Sequence, residues 1–281
     1  MALLSKKYST LYEGTLDRQF ALGLYLAARH PSHCLPFQLN AIRDSSIRDG
    51  GFFGGTMDSK LERARGYGLR LSMTACKWAS DVKTMLAEMR KCVKERKRSL
   101  KRFEERKRFI IMPLILDAPG DESVGHQNML IADMKNRTLE RFEPVGSIAY
   151  DYPVDSCDID DVLIKFTERR ASPFFEFTYL PPMVMCPRFG PQYVQEAETI
   201  DKARGRIDGF CVVWSYWYAD LRLQYPDVPQ LQLVTRAMAE LRRDKGRTLT
   251  DFIIAYASFF EDLKPFLDDE AHVRYIIQQL S

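Results

Sequence analysis

The sequence predicts an α+β fold, a small mixed β-sheet flanked by helices, with helical extensions at both ends. Three observations lead there. The run Arg108–Asp117 (Arg-Phe-Ile-Ile-Met-Pro-Leu-Ile-Leu-Asp) is apolar over the length of a strand and reads as a buried central strand, with Pro113 marking a bulge or an edge. Residues 127–133 and 138–143 are short aliphatic and β-branched runs separated by the polar turn Lys135-Asn136-Arg137, a hairpin pattern. Several segments around them place apolar residues at helical spacing.

In chain order, residues 1–72 read as an irregular region. Leu16–Ala28 is helical in pattern, His30-Pro31-Ser32-His33-Cys34-Leu35-Pro36 breaks it, and Gly50-Gly51-Phe52-Phe53-Gly54-Gly55 forms an aromatic loop. His30, His33 and Cys34 lack a fourth nearby ligand and sit among prolines, so they read as a loop rather than a metal cluster. Met73–Lys107 favours one long helix, apolar at first and basic in its second half. After the central strand and the hairpin come an amphipathic helix over Asp158–Arg170, a strand over Phe174–Leu180, a short strand over Met183–Cys186 and a loop containing Gln192. The helical segments Pro229–Arg243, Thr248–Leu263 and Asp269–Leu280 close the chain, with Thr248 or Thr250 as amino-terminal cap. The expected organisation is an amino-terminal region over 1–107, a core over 108–225 and a helical extension over 226–281, without internal repeats.

The hairpin brings two ionisable side chains toward each other. If Lys135-Asn136 is a two-residue loop, residues whose numbers sum to about 271 lie opposite each other, which puts His126 opposite Val145 and Glu143 diagonal to His126 on the same face. Diagonal neighbours lie about 7–8 Å apart at Cα, within reach of long side chains. A three-residue loop without a bulge would put the two on opposite faces. A histidine beside a carboxylate is a general base with an orienting acid, and its nucleophile candidate is Cys211. Asp208-Gly209-Phe210-Cys211 opens a strongly apolar helix-length run, so Cys211 falls in a first helical turn, where unpaired N–H groups and the helix dipole favour a thiolate and can hold an oxyanion. Asn128, two residues from His126 on the same strand face, is placed to contact substrate or orient a loop; in an ordinary hairpin it is a polar surface residue.

Together these residues resemble the adenovirus-protease and SUMO-protease group of cysteine peptidases. That group has the same order of histidine, acid across a hairpin, and cysteine opening a hydrophobic helix. Leu130-Ile131-Ala132-Asp133-Met134-Lys135-Asn136-Arg137-Thr138-Leu139 is similar to its strand, lysine-rich turn and returning strand, and Phe142-Glu143-Pro144 to its acid-bearing strand end. His126-x-Asn128-Met129-Leu130, Phe142-Glu143-Pro144-x-Gly146 and Gly209-x-Cys211-x-x-Trp214-Ser215 resemble a branch encoded by large double-stranded DNA viruses. The resemblance covers roughly residues 108–225 and implies a papain-like cysteine peptidase architecture; no cofactor is expected. It implies His126, Glu143 and Cys211 as catalytic triad, Gln192 (with Gln195 as next choice) as oxyanion-hole glutamine, and Asn128 and Trp214 as substrate contacts. The sequence departs from the group after the histidine, where Gln127 replaces a tryptophan, and after the cysteine, where Val212 replaces a glycine.

Length and composition agree with a globular chain. At 281 residues and a formal net charge of +3 there is core enough for a large domain and no global polyelectrolyte signal. No apolar run spans a bilayer and the amino terminus carries no signal-peptide pattern. Six scattered cysteines suggest a reducing compartment, here host cytoplasm or a virion. The stretch Lys94–Arg108 concentrates Lys94, Arg96, Lys97, Arg98, Lys101, Arg102, Arg106, Lys107 and Arg108 against Glu95, Glu104 and Glu105. It suits a solvated face with pairs such as Lys101–Glu105, and alternatively contact with nucleic acid or an acidic protein surface. Two functions of different class follow: a viral cysteine peptidase acting on virion precursors or ubiquitin-like conjugates, or a non-catalytic virion structural or assembly (minor capsid) protein that keeps the peptidase-like fold.

Overall fold

The computed structural model describes residues 108–117, 125–151, 158–200, 210–243 and 248–267, together with parts of 19–30, 69–78 and 86–90. The Gly50–Gly55 loop, His33, Cys34, the basic stretch from Lys94 to Lys107 and the segment Asp269–Leu280 lie outside the described residues. The expected α+β arrangement is present. A six-stranded mixed sheet runs in the order β2-β1-β3-β4-β5-β6, built from β1 (Leu69–Ser72), β2 (Lys77–Trp78), β3 (Phe109–Asp117), β4 (Gly125–Asp133), β5 (Thr138–Phe142) and β6 (Thr178–Leu180). The helices are α1 (Ile159–Glu168), α2 (Pro182–Met185), α3 (Pro191–Ile200), α4 (Cys211–Gln224), α5 (Gln230–Arg243) and α6 (Leu249–Leu267).

Strand β3 reads as continuous apolar sequence because both of its faces are covered. Phe109 and Ile111, with Met129 and Ile131 of β4, pack against α4, α5 and α6. Ile110, Met112, Leu114 and Leu116 face the opposite layer, which holds Leu163 and Phe166 of α1. Pro113 pairs with Met129 of β4, while β1 joins the other side of β3 only from Leu114 onward. The residue without an N–H therefore stands where β3 is an edge among the described residues.

The hairpin register is the expected one. Met129 pairs with Phe142 and Asp133 with Thr138, both summing to 271. The connection is longer than two residues: Met134 leaves the ladder to donate to Arg108 O at 2.8 Å, and Arg137 takes φ 55. Asp133 organises the turn by accepting from Lys135 N at 2.8 Å and Asn136 N at 3.2 Å. Its carboxylate is held by Arg108 through Nη2 at 2.8 Å. Arg108, the one residue of the basic stretch that is described, is thus a structural ion-pair partner.

Four local expectations are corrected. The segment from Met73 does not run straight into a helix, because Lys77–Trp78 turn back as β2 on β1. The irregular region up to residue 72 contributes β1, which pairs parallel with β3. Met183–Cys186 is not a strand: Pro181 takes the N-cap position and Pro182 opens the short helix α2, where its fixed φ and missing N–H suit a first turn. Gln192 lies in helix α3, again opened by a proline, rather than in a loop. The other helices follow their signals. Asp158 caps α1 by accepting from Asp160 N and Asp161 N, and Thr248 caps α6 in a reciprocal box with Asp251, whose N–H it accepts at 3.0 Å.

Candidate functional site

Strand β4 begins at Gly125, so His126 stands at the open end of the hairpin while the following residues are enclosed. Its Nε2 lies 2.6 Å from Glu143 Oε1. Glu143, just past the end of β5, also accepts from Val145 N at 3.0 Å and from Asn128 Nδ2 at 2.8 Å. Cys211 lies close enough to the imidazole to help raise its pKa, after the charge of Glu143. Cys211 is the first residue of α4, after Phe210 as an N-cap without a side-chain cap hydrogen bond. The structure thus joins His126 and Glu143 by a hydrogen bond and sets Cys211 at the start of the helix that packs on the hairpin.

Helix α4 is buried almost all round, which makes it the central helix of its layer. One stripe of it holds the hairpin at the spacing i, i+4, i+7, i+11. Cys211 opens the stripe, and Ser215 Oγ donates to Gln127 O at 3.1 Å. Tyr218 stacks on Phe142 at 4.1 Å and donates to Glu140 Oε1 at 2.9 Å. Arg222 Nε donates to Glu140 Oε1 at 3.0 Å. Glu140 is fully buried, and burial raises its pKa against the pull of Arg222 and its hydrogen bonds. These bonds fix the helix along the hairpin and set where its first turn falls.

A second device holds the acid. The residues after Glu143 lie backbone to backbone on the segment before α3: Gly190 N donates to Val145 O at 2.7 Å, Ser147 N to Pro187 O at 3.0 Å and Gln192 N to Pro144 O at 3.0 Å. Gly146 has φ +95, and a Cβ there would collide with Pro187 O at 2.6 Å. Cys186 is buried, and burial pushes its thiol up to about 12.

Burial works against an imidazolium at His126, yet the charge of Glu143 and the hydrogen bond the ring donates to it, with Cys211 nearby, raise its pKa well above the ordinary value. Burial likewise opposes the Glu143 carboxylate, and the charge and hydrogen bond of His126, with Arg141 nearby, hold it below the usual range. The imidazole keeps 32% of its surface exposed while Glu143 keeps 5%, and Cys211 is 7% exposed. An imidazole between a carboxylate and a thiol can accept the thiol proton.

A protein of Acanthamoeba polyphaga mimivirus, described as an ankyrin repeat protein, is 30% identical to this chain over 168 residues. The match covers 57% of this chain and 21% of the mimivirus protein, so the chain spans about a fifth of that relative's length. No family model matches the sequence. No solved structure matches it either.

The remaining candidates sit differently from their expected roles. Trp214 is fully buried, donates Nε1 to Gln195 Oε1 at 3.1 Å and packs edge-on against Trp217 at 5.2 Å. Asn128 is fully buried against Glu143 rather than facing solvent or substrate. Gln192 donates its amide to Glu196 Oε1 at 2.9 Å. Gln127 is 2% exposed and neither of its amide atoms has a hydrogen-bond partner among the described residues. His30 lies 2.6 Å from Asp220 Oδ1 through Nε2, and among the described residues no group of His, Cys, Asp and Glu is arranged to hold a metal ion. The sequence did carry one unused signal for this site, the polar residues Ser215, Tyr218 and Arg222 at helical spacing from Cys211 in an otherwise apolar run.

Proposed function

We propose that this chain is a viral cysteine peptidase of papain-like architecture, cleaving peptide or isopeptide bonds in virion precursors or ubiquitin-like conjugates. The observation that carries the reading is the 2.6 Å pair of Glu143 and His126 beside Cys211, the first residue of a buried helix. His126 takes the Cys211 proton, and Glu143 fixes the ring and offsets its positive charge. The thiolate adds to the scissile carbonyl, and the oxyanion is met by the unpaired N–H groups of the first turn of α4. His126 returns the proton to the departing amine, leaving a thioester that water hydrolyses. Gln192 joins the oxyanion site by exchanging its bond to Glu196 for the oxyanion. The mimivirus relative supports the viral setting.

A second reading rests on two observations: Cys211 is only 7% exposed, and the Gln192 amide is engaged by Glu196. Both suit a virion structural or assembly protein that keeps the fold without turnover. Alkylation by iodoacetamide, read at Cys211 by mass spectrometry with buried Cys186 as internal reference, separates the two. The peptidase reading expects labelling at pH 6 to fall roughly tenfold or more in His126→Ala and by a smaller factor in Glu143→Gln. Equal labelling of Cys211 in wild type and His126→Ala at that pH would sink it, and a virion copy number matching the capsid proteins would favour the structural role.

A further inference from the structure

We infer that Asn128 and Arg141 form a positioning relay, braced by Asp160 of α1, that keeps Glu143 aimed at His126; its role in turnover rests on the peptidase reading. The relay is built on one face of the hairpin. Continuing the observed register past Met129 and Phe142 puts Asn128 opposite Glu143, with Arg141 opposite Leu130 and His126 at the strand end. His126, Asn128, Arg141 and Glu143 therefore share a face by period-two alternation.

Each contact of the relay has the right polarity. Asn128 is fully buried and uses both halves of its amide: Nδ2 donates to Glu143 Oε2 at 2.8 Å, and Oδ1 accepts from Arg141 Nη1 at 2.7 Å. Reversing the amide would set acceptor against carboxylate and donor against guanidinium, so its orientation is dictated. Arg141 Nη1 is also 3.9 Å from Glu143 Oε2. On its other side Arg141 donates to Asp160 Oδ1 through Nη2 at 2.8 Å and Nε at 3.1 Å. Tyr179 of β6 donates to the same Asp160 oxygen at 2.5 Å. Arg141 and Glu143 are each 5% exposed at the side chain and Asp160 14%.

The physical need is clear. A buried carboxylate with one partly exposed partner would take up a proton or turn away, and a protonated acid cannot stabilise an imidazolium. Asn128 occupies the oxygen that His126 does not use, and Arg141 supplies a second cation whose own burial is offset by Asp160. Among the described residues, the titratable groups around Glu143 and His126 are Cys211 from α4, Cys186 after α2 and Arg141 from β5, with Asp160 from α1 and Tyr179 from β6 beyond Arg141.

The test uses the full chain with two readouts: the pH profile of Cys211 alkylation by iodoacetamide, and NMR titration of the His126 ring, assigned with His126→Ala. Asn128→Asp sets a second carboxyl against Glu143 Oε2; Arg141→Met removes the cation and Arg141→Lys keeps it. The relay expects Asn128→Asp and Arg141→Met to displace the His126 titration by about one pH unit or more. It also expects them to slow alkylation at pH 6 roughly tenfold while leaving it near wild type at pH 9, where an unassisted thiol ionises, and Arg141→Lys to restore part of both. A role in folding alone would change labelling at both pH values and leave no rescue by lysine. Wild-type profiles in folded Asn128→Asp and Arg141→Met, with His126→Ala still impaired, would overturn the relay and leave the peptidase reading standing. A wild-type profile in His126→Ala would overturn both. Should Asn128→Asp not fold, the arginine pair alone decides between these outcomes.

Discussion

Glu143 and His126 hold each other in their charged forms against the cost of burial, and the signs of their shifts define a pH window. His126 is raised above its ordinary 6.5 and Glu143 lowered below its ordinary 4.5. The contribution of the pair to stability is therefore complete between those values. It is lost as pH falls through the depressed pKa of Glu143 and as pH rises through the raised pKa of His126. We expect the stability gap between wild type and Glu143→Gln, measured by urea denaturation, to be about 2 kcal/mol near pH 6 and to shrink toward pH 3 and pH 10. A gap independent of pH would mean that the pair is not ionised in the folded chain. The meeting of His126 and Glu143 was legible in the sequence, because strand alternation in the register centred on Lys135-Asn136 sets them on one face. What surrounds them was not: a lone asparagine on a strand reads as a surface residue, and only the docking of α1 and β6 encloses Asn128 and gives Arg141 its partner.

At the scale of elements, the site is the product of a helix stripe and a glycine clasp. The stripe of Cys211, Ser215, Tyr218 and Arg222 sets the helix against the hairpin, and the clasp holds the chain just after Glu143. Gly146 combines φ +95 with a backbone approach that admits no Cβ. Gly146→Ala is expected to cost about 2–4 kcal/mol and, by moving Val145 off Glu143, to slow Cys211 alkylation at pH 6 as well. Thermal melting checks the first effect and mass spectrometry the second; a variant that melts and labels like wild type would remove the clasp from the account. Long elements such as α4 and α5 were readable because several turns of one period accumulate. The short ones were misjudged: α2 has four residues and β2 two, too few to display any period, so tertiary contacts decide their form.

At the scale of the whole molecule, the sheet is completed by chain that lies well before the hairpin in sequence. Leu69 and Leu71 of β1 are almost fully buried and pair in parallel with β3 from Leu114 to Leu116. From the far amino-terminal side, Leu22 and Leu26 enter the same core as α4. A fragment beginning at residue 108 would expose the edge of β3 and the leucine-lined face beneath β1, so we expect it to aggregate or to unfold without a cooperative transition. Gel filtration and denaturant titration of that fragment beside the full chain test this, and a monomeric, cooperatively unfolding fragment would contradict it. No helix of the described residues is long and apolar enough to cross a membrane. By itself the sequence determined the α+β class and, through local periodicity and turn chemistry, favoured the hairpin register that sets His126 and Glu143 on one face. Only the tertiary structure decided the parallel strand added by the amino-terminal region, the buried relay behind Glu143 and the glycine clasp. Each of these joins segments far apart in sequence, where no local period links one partner to the other and only burial on a shared core brings them together.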